Sequence, residues 1–296
     1  MLSRRQFLTT VSASALAAAA APACTSSAPS SSAPAAAPRG FTGVVGVQLW
    51  SLRDYLPKDL VGGLKQLQAM GVREVEGAGL WGRSVTDLRK AMDDAGLRCQ
   101  SAHMDYERLR DDSRSAFAEA KAMGATWVVC PWLKETVNRE DIVKAADVFN
   151  RAAKAAHDAE LRFAYHCHGY EFIPATEGTL FDTLAQLTDA SLVEFQIDVF
   201  HAFYGGADPA KLIAQHGRRV SSLHLKDLKK GVAVTPGKSV GTADIDVPVG
   251  TGQLDMPGIL AAARAAGTEI YYVEDESADP LAHIPQSLAY LKTVSI

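Results

Sequence analysis

From Gly43 onward, short runs rich in β-branched and aromatic residues alternate with stretches whose apolar positions recur every three or four residues. Runs of four to eight residues bounded by turn formers read as strands, and the longer periodic stretches read as amphipathic helices. The strands expected are Val44–Leu49, Glu74–Gly77, Arg98–His103, Trp127–Cys130, Arg162–His168, Val193–Asp198, Val220–Lys226 and Glu269–Glu274. Between and after them lie helical patterns at Leu60–Met70, Val85–Ala95, Arg114–Met123, Arg139–Asp158, Thr179–Leu187, Pro209–His216, Pro257–Ala266 and Pro280–Thr293. Gly71, Gly96 and Gly124 stand where the first three helices stop. Strict β/α alternation predicts a parallel sheet, and eight units is the number that closes one, so the expected fold is a single-domain α/β (β/α)8 TIM barrel. An open doubly wound sheet would place a Gly-rich turn after its first strand, but Gln48-Leu-Trp-Ser-Leu-Arg53 stands there.

One connection breaks the rhythm. Between Lys226 and Met256 no helix is evident, while Gly237, Gly241, Pro248, Gly250 and Gly252 fall inside the stretch. A connection this long in a compact domain is usually functional or disordered, and on the strand-end rim it is a candidate lid. Gly250-Thr-Gly252 reads as a simple turn rather than a phosphate loop.

The strands of the second half end in side chains able to bind metal. All strand ends of a parallel barrel share one rim, which predicts that Glu171, Asp198, His224 and Glu274 converge on one ion. Each has a plainer reading. Asp198 can cap the next helix, and His201 follows three residues later as a candidate substrate contact. His224 shares a strand face with Lys226, which either holds a substrate oxygen or pairs with an acid. Glu274 and Glu276 close an aromatic strand, as ligands or as solvated charge. In the fifth strand His166, His168 and Glu171 compete, because the two histidines point inward together and Glu171 lies past the strand. Trp50, Trp132 and Phe203 serve as apolar walls or as ordinary packing.

The 296 residues are 47% hydrophobic and 22% charged, enough for a large core. The 34 acidic and 30 basic residues leave a formal charge of −4, with no Lys/Arg-rich block, so no nucleic-acid partner is expected. A divalent cation and a neutral polyol suit this balance better than a polyanion. Cys99, Cys130 and Cys167 lie in apolar runs without a CxxC spacing and are expected as buried small hydrophobes.

At the N-terminus, Ser3-Arg4-Arg5-Gln6-Phe7-Leu8 precedes a weakly apolar stretch from Val11 to Ala21, which resembles a twin-arginine export signal. The resemblance implies the twin-arginine export machinery as a partner and a location outside the inner membrane. Ala21-Pro22-Ala23-Cys24 leaves two outcomes open: cleavage after Ala23 into the periplasm, or acylation of Cys24 and a lipid anchor. The expected layout is a signal peptide over 1–23, a Ser/Ala/Pro-rich linker over 24–40 and the barrel over 41–296.

As a set, Gln48-Leu-Trp-Ser-Leu-Arg53, Tyr165-His-Cys-His-Gly-Tyr-Glu-Phe172, Asp198-Val-Phe-His201, His224-Leu-Lys-Asp227 and Tyr272-Val-Glu-Asp-Glu276 resemble the xylose isomerase-like barrels known as sugar phosphate isomerases/epimerases. The resemblance implies one divalent metal held by Glu171, Asp198, His224 and Glu274. Carboxylate oxygens with one imidazole favour Mn2+ or Mg2+, with Co2+ or Zn2+ as alternatives. It implies Glu274 or Glu171 as general base, with the other or a His returning the proton to an enediolate. Gln48, Trp50, His103, His166, His168, His201 and Lys226 are then the substrate contacts. Three outcomes fit a small sugar partner: an isomerase/epimerase, a lyase or hydratase on 3-keto-glycosides or inososes, and an exported sugar-binding protein without activity. An apurinic endonuclease is disfavoured by net acidity and the export signal.

Overall fold

The computed structural model describes residues 40–134 and 137–296. The twin-arginine segment and Cys24 lie outside the described residues.

Eight parallel strands close into a barrel in chain order. They are Val44–Gln48, Glu74–Gly77, Arg98–His103, Trp127–Cys130, Arg162–His166, Val193–Asp198, Val220–Leu225 and Ile270–Val273. The first pairs with the eighth, Val44 opposite Ile270 and Val47 opposite Val273, so among the described residues the barrel sheet has no open edge. The expected (β/α)8 architecture is the observed one.

Strand alternation sorts the residues into two layers. Val47, Val75, Val128, Phe163, Tyr165, Phe195, Ile197, Leu223 and Val273 join the large apolar shell beneath the helices. Inside the barrel, Trp127, Val129 and Ala164 form only a small separate apolar cluster. The rest of the interior is polar. Gln48, Glu76, Gln196, Asp198 and His224 are all fully buried, and Gln48, Gln196 and His224 meet Glu76 across the barrel.

Two differences from the expected boundaries matter for the site. The fifth strand ends at His166, and the chain then turns into a short 3-10 segment, Tyr170–Phe172. The seventh strand ends at Leu225, and Asp227–Leu228 leaves to pair antiparallel with Asp246–Val247. The long connection is therefore organised as a ribbon over the barrel mouth. Asp227 holds it by accepting from the backbone N–H groups of Gly250 and Gly252 at 2.9 Å and of Leu254 at 3.1 Å. Gly250-Thr-Gly252 is thus a turn anchored on a carboxylate. Gly169 lets this connection approach closely, since a Cβ there would meet the carbonyl oxygen of Lys238 at 1.8 Å.

Two further helices, Tyr106–Asp111 and Val199–Tyr204, follow the third and sixth strands. At six residues each, they are too short to show a helical period in the sequence.

Candidate metal centre and active site

Asp198 ends the sixth strand, His224 is the last residue but one of the seventh and Glu274 directly follows the eighth, and they bring one ligand atom each within 4.8 Å of the others. Asp198 fulfils both of its readings, one with each oxygen. Its Oδ1 accepts from the backbone N–H of His201 at 2.8 Å and caps the helix Val199–Tyr204. Its Oδ2 is buried and accepts no hydrogen bond. Lys226 Nζ lies 3.2 Å from that oxygen, close enough for an ion pair but poorly aligned for a hydrogen bond. The same ammonium is 2.9 Å from Glu274 Oε2 and 3.2 Å from Glu276 Oε1. His224 is held at both nitrogens, Nδ1 at 2.8 Å from Glu274 Oε2 and Nε2 at 2.5 Å from Glu76 Oε2.

Burial works against every one of these charges, and their neighbours override it. Burial would raise Glu274, yet Lys226 and His224 hold its carboxyl well below the usual range. Asp198 is likewise lowered against its burial, by Lys226 first and then His201. Burial would lower His224, but Glu274 and Glu76 push it up to about 10. Lys226 is raised well above its ordinary value against burial by Asp198, Glu274 and Glu276.

Glu171 does not join this trio. The 3-10 turn directs its buried carboxylate back to the fifth strand, where it accepts from the Tyr165 hydroxyl and from the backbone N–H of His168 at 2.9 and 3.0 Å. Burial pushes it up to about 7, against those hydrogen bonds. His166 and His168 face the open space instead. Burial, reinforced by neighbouring cations, keeps both well below the usual imidazole value, so they are neutral.

A cavity of about 380 Å³ opens above these groups. His103, His166, His168, Lys226, Glu274 and Glu276 form its polar wall, with Trp50 and Trp132 at its mouth. The cations on its wall are already paired: Arg108 with both oxygens of Glu119 at 3.0 and 3.1 Å, and Lys226 with three acids. Other expected contacts lie deeper. Gln48 donates to Glu76 at 2.7 Å and His201 is buried with Nδ1 unpartnered.

Glu76 and Gln196 were not expected at the site. Gln196 Oε1 faces His103 Nε2 at 3.0 Å and His166 Nδ1 at 2.9 Å, while its Nε2 donates to Glu76 at 2.8 Å. The signal available was a charged or amide residue on the same strand face as a rim ligand, as in Gln196-Ile-Asp198.

Residues 64–294 match the family described as xylose isomerase-like TIM barrel. The chain belongs to that family. It is 25% identical over 205 residues to an inosose dehydratase of Geobacillus kaustophilus, covering 61% of this chain and 65% of that one. The chain therefore spans just under two thirds of the length of this curated relative. A sugar phosphate isomerase/epimerase from Parabacteroides distasonis superposes with a TM-score of 0.71 at 25% identity, over 90% of this chain and 99% of that one. The IolI protein with a bound zinc atom shares the fold at a TM-score of 0.65 and 16% identity, over 85% and 96% of the two chains.

The donor set of this xylose isomerase-like barrel fits a divalent cation. Two carboxylates and one imidazole lie within reach of a common point, and the buried Oδ2 of Asp198 lacks a hydrogen bond. Four carboxylates (Glu76, Asp198, Glu274 and Glu276) surround two cationic side chains, Lys226 and His224, so the pocket carries uncompensated negative charge.

Proposed function

We propose that this chain is a divalent-metal-dependent enzyme that removes the proton α to the carbonyl of a polyhydroxylated ketone, with dehydration as the outcome. The observation that carries the proposal is the grouping of Asp198, His224 and Glu274 beside the Lys226 ammonium on a cavity wall. Asp198, His224 and Glu274 would hold the ion. When bound, it supplies Lewis acidity to a carbonyl oxygen and the adjacent hydroxyl, acidifying the C–H between them.

The protein's own groups do the rest. Glu274 faces the cavity and is kept ionised, as a general base must be. Lys226 keeps its proton and offers N–H donors where negative charge develops on a substrate oxygen. His166 and His168, neutral on the wall, can give a proton to a departing hydroxyl or read hydroxyls that stay. Because Arg108 and Lys226 are paired, a neutral polyol suits the cavity better than a phosphate ester. An exported chain, as the N-terminal resemblance implies, would also meet unphosphorylated substrates.

Dehydration is placed first because it needs one base and one acid on the cavity wall, which Glu274 and a neutral histidine supply. It also agrees with the inosose dehydratase relatives. Epimerisation through two glutamates on opposite faces requires Glu171 at the wall, and its carboxylate points elsewhere. The isomerase/epimerase outcome remains the second reading, supported by the Parabacteroides likeness.

The test is metal analysis of the purified chain, followed by incubation with keto-sugars and keto-cyclitols in deuterated water. Dehydration gives an unsaturated product absorbing in the ultraviolet. Epimerisation gives deuterium in recovered sugar without water loss. Stoichiometric metal with neither product, across the panel, would leave a sugar-binding protein.

A further inference from the structure

Glu76 lies one residue before the end of the second strand and has no role in the mechanism above. Its carboxylate is fully buried at the centre of the barrel and is met by donors from four other strands. Oε1 accepts from the Ser101 hydroxyl and from Gln196 Nε2 at 2.8 Å. Oε2 accepts from Gln48 Nε2 at 2.7 Å, faces His224 Nε2 at 2.5 Å and has His103 Nε2 at 3.1 Å. A carboxylate offers about four lone-pair sites, and the donors of Ser101, Gln196, Gln48 and His224 fill them, leaving none for an ion. Glu76 is therefore not itself a ligand.

What the anion fixes is the orientation of its donors. One of them belongs to the ligand trio. An imidazole nitrogen that donates a proton has no lone pair to offer, so a ring whose Nε2–H is held by Glu76 can meet a cation only through Nδ1, which gives up its own proton when the cation binds. His224 Nδ1 is the nitrogen that faces Glu274. The grouping of His103, His166 and His224, whose ring nitrogens also come within 4.8 Å of one another, is explained without a second ion. Glu76 accepts from His224 Nε2, and Gln196 Oε1 accepts from His103 Nε2 and His166 Nδ1.

We infer that Glu76 is a positioning residue that keeps the proton of His224 on Nε2 and turns Nδ1 toward Asp198 and Glu274, so that a bound metal is met by Nδ1. This rests on the metal-site reading proposed above.

The test is calorimetric titration of the metal-stripped full chain with Zn2+, comparing the unaltered protein with Glu76→Gln and Ser101→Ala. Loss of a partner that orients a metal-binding His typically costs roughly 10- to 100-fold in affinity, and that loss is expected for Glu76→Gln. Ser101→Ala removes a donor to Glu76 without touching His224 and is expected to change affinity less than about threefold. Thermal melts verify that each variant is folded. Nitrogen-15 histidine spectra of the zinc-loaded unaltered protein need no variant and should show His224 protonated on Nε2 with the metal on Nδ1. Zinc on Nε2, unaltered affinity in Glu76→Gln, or an equal loss in Ser101→Ala would overturn the inference. An unaltered protein that takes up no divalent ion would instead defeat the metal-site reading itself.

Discussion

Where the strands begin, Arg98 pairs with Glu74, and Arg162 bridges Glu194 and Glu269 at 2.7 and 2.8 Å. Where they finish, Lys226 stands among Asp198, Glu274 and Glu276 at similar distances. The side-chain types are alike, but the surroundings are not. The side chains of Arg98 and Arg162 are 74% and 39% exposed, whereas that of Lys226 is 1% exposed and that of Asp198 is 0%. Water screens the first set, so those pairs are worth little to stability. At the other end, desolvation makes each charge depend on its neighbours, and removing one leaves the rest uncompensated. That dependence is what a metal and a substrate can exploit.

The largest expected consequence is on turnover. Glu274→Gln should lower the rate by roughly 100- to 10 000-fold. Steady-state kinetics on whichever keto-polyol proves active is the measurement. Activity within tenfold of normal would mean that the buried end owes its charges to structure alone.

Next is the buried cation. Lys226→Met should destabilise the metal-free protein by about 3–5 kcal/mol, because three acids lose their common partner. Saturating divalent ion should restore about 2–3 kcal/mol, since a ligand at 100 times its Kd stabilises by that amount. Urea unfolding with and without metal reads both. A variant indifferent to metal would separate Lys226 from the proposed ion site.

The difference between the ends also explains how far the sequence could be read. Strict alternation of β-rich runs and periodic helices carried the barrel, and closure followed from counting eight units. Asp198, His224 and Glu274 were legible because each closes an apolar run. Glu76 was not, since Glu74-Val-Glu76 looks like a half-solvated strand until neighbours are known. Its importance comes from residues 25 to 148 positions away, including Ser101 and His224. Glu171 was legible as a residue of interest, but its direction is set by a three-residue 3-10 turn that no periodicity announces.

Glu171 offers a smaller, sign-sensitive test. Its folded-state pKa of about 7 lies above the ordinary 4.5, so the folded chain holds this proton more tightly than the unfolded chain. The stability it contributes is complete below about pH 4.5 and is lost as pH rises through about 7. In metal-stripped protein, unfolding free energy measured at pH 4.5 and 7.5 should fall by on the order of 1–3 kcal/mol more than in Glu171→Gln. Saturating metal decides whether Glu171 turns inward as a ligand. A cation at its oxygen favours the ionised form and abolishes that extra fall, whereas an unchanged fall keeps Glu171 on Tyr165 and His168.

The smallest effect belongs to the exposed end and is the sharpest check on the contrast. Arg162 makes two ion pairs and stacks over Trp127 at 4.2 Å, a contact list as long as that of Lys226. If contact number governed stability, Arg162→Met would rival Lys226→Met. Because water reaches the guanidinium, each pair gains little Coulomb energy and is screened by salt, and the Met stem retains much of the packing on Trp127. The expected loss is at most about 1 kcal/mol, shrinking further in high salt, with metal affinity and turnover unchanged. A loss comparable to that of Lys226→Met would show that burial is not what separates the two ends of this barrel.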